Sequence, residues 1–359
     1  MTENKRKAPY KWLSITLILI ISAVLVIVFL AFKQKTNVVV DIELIANQIS
    51  FSVKGNAQRL EPVRADSIVL TNFKEIGFAP DRFFYDGKTV SVKGKVLLRP
   101  WRDALSPRVR FIGDGIRLVE LVIGIGSRVT FHKSEGEEAV YFKVEPELGE
   151  ESVEPSEGKM SLGNSFKLLM ERCDLVDEEG NALINRNENI AQRALEIFPS
   201  LDKTSFLVSN GQKVFRVVLE KPEENVTLFS NASIRQIDFN DYDIATGKSE
   251  STVKSGTVKF KNIKKENLPL ESRDFIYISE RDRLKVVKLW PNSKDNSLGI
   301  ALSGAIDSLK LGKGVLIEQL PSLLEWLAAN KRLQIIIAVL GWIIAQALTV
   351  RNLINEMKK

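Results

Sequence analysis

A run of uncharged, mostly aliphatic residues stands near each end of the chain, and these two runs restrict what it can fold into more than anything between them. From Trp12 to Phe32, 21 residues carry no charge, and only Ser14, Thr16 and Ser22 are polar. As a helix this run would measure roughly 31 Å, enough for the hydrocarbon core of a bilayer. A cleavable signal peptide has a shorter apolar region and ends in small residues. This run instead ends Leu30-Ala31-Phe32-Lys33. Tyr10 and Trp12 stand where an aromatic belt sits, with Lys5, Arg6, Lys7 and Lys11 before the run and only Lys33 and Lys35 close behind it. The basic head, 1–11, is therefore expected in the cytoplasm and 12–32 is expected to span.

The second run, Leu333–Val350, has 18 residues and would be roughly 27 Å long as a helix, at the short end for a span. It is predicted to return the chain to a cytoplasmic tail, 351–359; a helix buried in a soluble core is the other reading of so short a run. Ala338, Gly341, Ala345 and Thr349 fall on one side of it, a small-residue stripe that lets helices approach closely, against the first span or another copy. Leu320, Leu323, Leu324 and Leu327 around Pro321 predict an amphipathic helix within 315–330.

Between the runs the pattern is that of strands. With 27% charged and 44% hydrophobic residues the chain is neither disordered nor a polytopic bundle. Its 51 basic and 45 acidic residues leave a net charge of +6, too little to imply a nucleic-acid partner. Apolar residues come in short alternating stretches, and Asp86-Gly87 and Asn210-Gly211 predict two-residue hairpins. A short helix is predicted over 190–198, from Ile190, Ala194 and Ile197 with Pro199 stopping it. The stretch 144–159, rich in glutamate, proline and glycine, reads as a linker or long loop. The expected fold is mainly β: modules over 36–143 and 160–311 between the terminal helices. Matches in the same order, among them Ser67-Ile68 with Ser233-Ile234, Phe111-Ile112 with Phe275-Ile276 and Arg117-Leu118 with Arg283-Leu284, suggest a tandem duplication, although chance similarity of alternating strands gives the same matches.

Chemistry-bearing residues are few. His132 is the only histidine and Cys173 the only cysteine, so familiar triads must use His132, and a site with two histidine ligands cannot form within one chain. Cys173 reads as a small buried apolar residue. Gly124 and Gly126 lack the third glycine of a dinucleotide fingerprint, because Val129 stands there, and read as a strand turn. Asp238, Asn240, Asp241 and Asp243 fail the calcium-loop pattern at Ala245 and Thr246. Lys254, Lys259, Lys261, Lys264 and Lys265 form the densest basic stretch, read either as an anion-binding site or as edge-guarding lysines.

No catalytic residue, metal or cofactor is assigned. The sequence reading is a membrane-anchored, non-catalytic protein whose extracytoplasmic β-rich region binds a protein, a lipid or an envelope polymer. Expected partners are the bilayer, an envelope protein, anionic lipid or glycan, and another copy through the spans, but not nucleic acid. The alternatives are a lipid carrier with an apolar groove and a carboxylate-dependent enzyme acting on glycans.

Overall fold

The computed structural model describes residues 38–320, except 54–55, 103, 148–152, 185–193, 201–202, 210, 212, 225, 244–245, 262–264 and 281–283, together with separate helical residues at 22 and between 334 and 349. Most of the described chain is strand, because β-branched and aromatic residues alternate with polar ones between turn residues. Val38–Ala46 shows the rule: Val38, Val40, Ile42, Leu44 and Ala46 are all buried.

The strands form large antiparallel sheets. One runs, in spatial order, Lys88–Ser91, Pro80–Tyr85, Leu195–Pro199, Phe166–Glu171, Arg108–Ile112, Val63–Thr71, Phe215–Pro222, Ala139–Pro146, Ser127–His132, Gln48–Val53 and Phe229–Asp238. A second runs Arg117–Ile123, Glu157–Ser161, Thr204–Ser209, Phe73–Phe78, Val96–Pro100 and Cys173–Asp177. A third joins Phe229–Asp238, Leu284–Asn292, Ser297–Gly312 and Phe275–Glu280. Shared strands link all three into one hydrogen-bonded network.

Single left-handed residues carry the chain from sheet to sheet. Asn72, with φ of 61°, is all that separates Val63–Thr71 in the first sheet from Phe73–Phe78 in the second. Asparagine tolerates this conformation, and its side-chain amide donates to Val214 O at 2.7 Å. Arg172, at φ 58°, makes the same switch between Phe166–Glu171 and Cys173–Asp177. Its carbonyl accepts from Trp101 N at 3.0 Å, and its guanidinium bonds Leu105 O.

Two aromatic clusters fill the core. Phe166 meets Phe78 at 5.8 Å and Phe111 at 5.7 Å, tying the first sheet to the second. Phe229 stands edge-on to Phe51 and Phe131, each at 5.7 Å, and Phe131 stacks on Phe142 at 5.4 Å. Rings of this size bury more apolar area than any other side chain, so these contacts dominate the packing.

The mainly β expectation holds, and Asp86 and Gly87 have the positive φ values, 50° and 76°, of the expected hairpin turn. Four expectations are corrected. The 36–143 and 160–311 regions are not separate bodies: Phe215–Pro222 lies between Val63–Thr71 and Ala139–Pro146, and Phe166–Glu171 pairs with Arg108–Ile112. Residues 195–198 are strand, not helix, since Leu195 and Ile197 face the core while the backbone pairs with neighbours on both sides. The strands flanking 210–211 do not form a hairpin, because they belong to different sheets. At the start of 315–330, Ile317–Glu318 is a short strand on Lys310–Leu311; residues 321–330 lie outside the described residues.

Backbone contacts divide the chain into a body, Val40–Lys259 with Asn267–Glu318, and a second unit of Met1–Val39, Phe260–Glu266 and Gln319–Lys359. Within that second unit Lys261 N donates to Val39 O at 3.0 Å, and the Lys265 ammonium bonds Gln319 O and stands 5.4 Å over the Phe260 ring. Among the described residues no helix is long and apolar enough to cross a membrane. The runs 12–32 and 333–350 lie mostly outside the described residues. Ala338, Gly341, Ala345 and Thr349 are described, helical and exposed, and the Thr349 hydroxyl donates to Ala345 O at 2.9 Å.

Asn72→Val should lower stability by about 2 kcal/mol, from left-handed strain on a β-branched residue plus the lost bond to Val214. Asn72→Gly, which keeps the conformation free of strain, should lose about 1 kcal/mol. Denaturant midpoints at unchanged slope measure both.

Candidate functional site

The site begins with alternation on two neighbouring strands. Ile49, Phe51 and Val53 of Gln48–Val53, with Val129 and Phe131 of Ser127–His132, face the aromatic core. Gln48, Ser50 and Ser52 must then face the other way, opposite His132, Thr130 and Arg128. That polar face is itself covered: Ser50, Ser52 and Thr130 are all buried. A buried hydroxyl needs a partner. Ser50 and Thr130 supply one another at 2.9 Å, and Ser52 bonds the Glu147 carboxylate. The Gln236 amide lies 3.0 Å from the same Ser52 oxygen. The near atom of that amide is Oε1, so the single Ser52 hydroxyl proton has two acceptors in reach, this oxygen and the Glu147 carboxylate.

Above this ladder lies a half-open cleft of about 580 Å³. Its polar wall is Arg128, Gln236, Asp238 and Asn240; its other wall is Phe275, Ile276, Tyr277, Ile278, Ser279 and Leu316. Gln236, at φ 52°, sits where the register between Phe229–Asp238 and Gln48–Val53 shifts, with Arg235 opposite Ser52 and Asp238 opposite Ser50. Arg128 and Asp238 are 3.5 Å apart. That is longer than a tight charge-assisted bond, and a partly exposed pair of this kind contributes at most about 1 kcal/mol. Asn240 N donates to Asp238 Oδ1 at 3.1 Å, while Asn240 Oδ1 is buried without a hydrogen-bond partner. Asp238 is the one acid among the described lining residues. The cleft thus combines a loosely paired cation with an apolar wall, within the usual volume range for small-molecule sites.

A polar knot adjoins the cleft. Gln48 Nε2 donates to Asn240 O at 2.8 Å, and the Thr252 hydroxyl lies 2.8 Å from Gln48 O and 2.5 Å from Phe239 O. His132 Nε2 lies 2.9 Å from the Ser134 hydroxyl, and its Nδ1 is buried without a partner, as is Asn47 Oδ1. Burial holds the Lys133 ammonium below the ordinary lysine range, with Glu138 working in the opposite direction. The Tyr141 hydroxyl donates to Glu137 at 2.5 Å, which pushes its pKa up to about 12.

The basic stretch is dispersed in its bonding. The Lys254 ammonium lies 3.0 Å from the Glu135 carboxylate and 3.0 Å from Asp295 O, and this bond and charge hold the Glu135 carboxyl below its usual range. Lys259 and Lys261 are exposed, and Lys264 lies outside the described residues. Asp241 faces Glu250 across the hairpin of Asn240–Asp243 and Lys248–Ser251. Among the described residues no group of three or more His, Cys, Asp or Glu side chains could hold a metal ion. Gly124 and Gly126 do form a turn, between Arg117–Ile123 and Ser127–His132.

Sequence reasoning had noticed Asp238 and Asn240, for calcium, and had missed the remaining lining residues. Positions 128, 236, 275–279 and 316 carry no local signal, because they meet only through sheet pairing. Comparisons with family models, with characterised proteins and with solved structures return no match.

Cys173 is buried, its sulfur lies 3.1 Å from Glu171 O, and burial pushes the thiol up to about 12. The native chain should therefore fail to react with a thiol reagent at pH 8 and should react fully once unfolded; absorbance of the released chromophore measures this.

Proposed function

We propose that this chain is a membrane-anchored, non-catalytic binding protein. On this reading the runs 12–32 and 333–350 cross the bilayer, both tails are cytoplasmic, and the β-rich body lies outside the cytoplasm with the cleft as its ligand site. The cleft carries the proposal, since one wall suits a polar or anionic group and the other an apolar one. Of the ligands expected, a lipid or lipid-like molecule matches both walls at once: its head group against Arg128, its apolar part along Phe275 and Leu316. Lys259, which is exposed, is the residue of the body offered to an anionic lipid or glycan outside the cleft. The described positions at Ile335, Val339 and Trp342 are helical and exposed, which is compatible with an apolar helix facing lipid.

Lipid carriage is the second reading, favoured by the openness of the cleft to one side. It differs from binding in requiring release to an acceptor, so transfer of a fluorescent lipid from donor to acceptor vesicles separates the two.

Topology is tested on intact cells with an impermeant thiol reagent. A cysteine at Glu179, which is exposed, should label, and one at Glu356 should not. Labelling of both would place 333–350 outside the bilayer; labelling of position 356 alone would invert the arrangement. For the ligand, full-length protein extracted gently should carry an amphipathic small molecule by mass spectrometry. Ser279→Trp, which fills the cleft, should abolish it, and Arg128→Gln should weaken it about tenfold, the effect of losing about 1.4 kcal/mol. An empty wild-type cleft would remove the lipid reading.

A further inference from the structure

Ser297–Gly312 ends in a projecting tip. Gly312 has φ of 158°, and a Cβ there would lie 2.1 Å from Val315 O, so the tight turn that follows requires glycine. The chain then folds back, with Leu311 opposite Ile317 and Lys310 opposite Glu318. Three consecutive apolar residues of this tip are exposed: Val315 by 78%, Leu316 by 43% and Ile317 by 61%. Successive residues of an extended hairpin point to opposite faces. Val315 and Ile317 are the more exposed of the three, while Leu316, the least exposed, borders the cleft. Tyr277, 52% exposed, stands opposite Lys310, whose ammonium lies 5.7 Å from the ring centroid. Lys313 extends beside them, held by Glu271 at 2.7 Å, and Glu318 bonds Ser308.

We infer that the tip Lys313–Ile317 dips into the interfacial layer of a lipid bilayer, with Val315, Leu316 and Ile317 among the upper acyl chains and Tyr277, Lys310 and Lys313 at head-group level. The arrangement has the order of an interface: aliphatic groups outermost, then a tyrosine and lysines, which favour the boundary between water and hydrocarbon. The occupant is chosen by the chain itself. From Ile317 the sequence continues into the uncharged run Leu333–Val350, and the stretch between them reaches roughly 55 Å fully extended and roughly 24 Å as a helix. A span in that run keeps the tip within reach of the surface, so the inference rests on the anchored reading. Leu316 also lines the cleft, so a seated tip would open the cleft beside the acyl chains and give a lipid a dry route in.

The test uses the full chain reconstituted in phosphatidylcholine vesicles, with native Cys173 left in place because its thiol is buried. An environment-sensitive fluorophore is attached at Val315→Cys and, for comparison, at Leu105→Cys, another exposed apolar loop position, and at Glu179→Cys. Shallow nitroxide-labelled lipid should quench the label at 315 several-fold more than that at 179, with a blue-shifted emission. Quenching at 315 no greater than at 179, in protein that floats with the vesicles, would overturn the tip contact and leave anchoring intact. Quenching at 105 with none at 315 would place a different face on the membrane. Failure of the unlabelled chain to float would overturn the anchored reading and the tip contact with it.

Discussion

The strand Val63–Thr71 holds the body together, because its two edges are bonded to strands that lie more than a hundred positions apart in the sequence. Arg108–Ile112 pairs along one side and Phe215–Pro222 along the other, while Val63 pairs with Leu118 and Arg64 with Arg117 in the second sheet. The backbone groups along both edges would lose these partners if the strand left. The cost of leaving is therefore a double row of unmet hydrogen bonds, on top of exposing Val63, Ile68, Val69 and Leu70.

Covering both faces of a sheet creates a polar problem that this protein solves with hydroxyls. Alternation sends Phe51 and Phe131 into the core and Ser50, Ser52 and Thr130 to the opposite side, where solvent would ordinarily meet them. Here they are buried, with the Gln236 side chain from the neighbouring strand reaching Ser52, and the small hydroxyls pair with each other and with Glu147. The same cover leaves Arg128 loosely paired and Asn240 Oδ1 without a partner. A binding cleft with a polar wall is thus the by-product of how one sheet is packed against another, and the apolar wall comes from Phe275–Glu280, which Ser297–Gly312 holds in place.

Local signals were legible where the chemistry is local. Asp86-Gly87 turned as its φ preference requires, Gly124 and Gly126 made a turn, and Cys173 is buried as a small apolar side chain. The reading of 190–198 as a helix failed at 195–198 because Ile197 fits either period, and pairing with Phe166 and Phe83 decided for strand. The Asn210-Gly211 dipeptide predicts a hairpin because both residues tolerate the positive φ of a type I′ turn; the strands on either side belong to different sheets, and no local preference reports that. Two stretches of similar alternation looked like two modules, yet their strands interleave, since the best partner for an edge is the strand whose apolar face matches, wherever it lies in the chain.

The amino-acid sequence by itself determined that the middle of this chain is β-rich, that it cannot use histidine clusters or disulfides, and that apolar runs stand near both ends. Those properties depend on composition and on contacts a few residues apart. Only the tertiary structure decided which strands pair, that Asn72 and Arg172 carry the chain between sheets, and that Arg128, Asp238, Asn240, Tyr277 and Leu316 share one cleft. Such choices are made by hydrogen bonds and side-chain packing between residues more than a hundred positions apart, and their energies are not written in any short window of sequence.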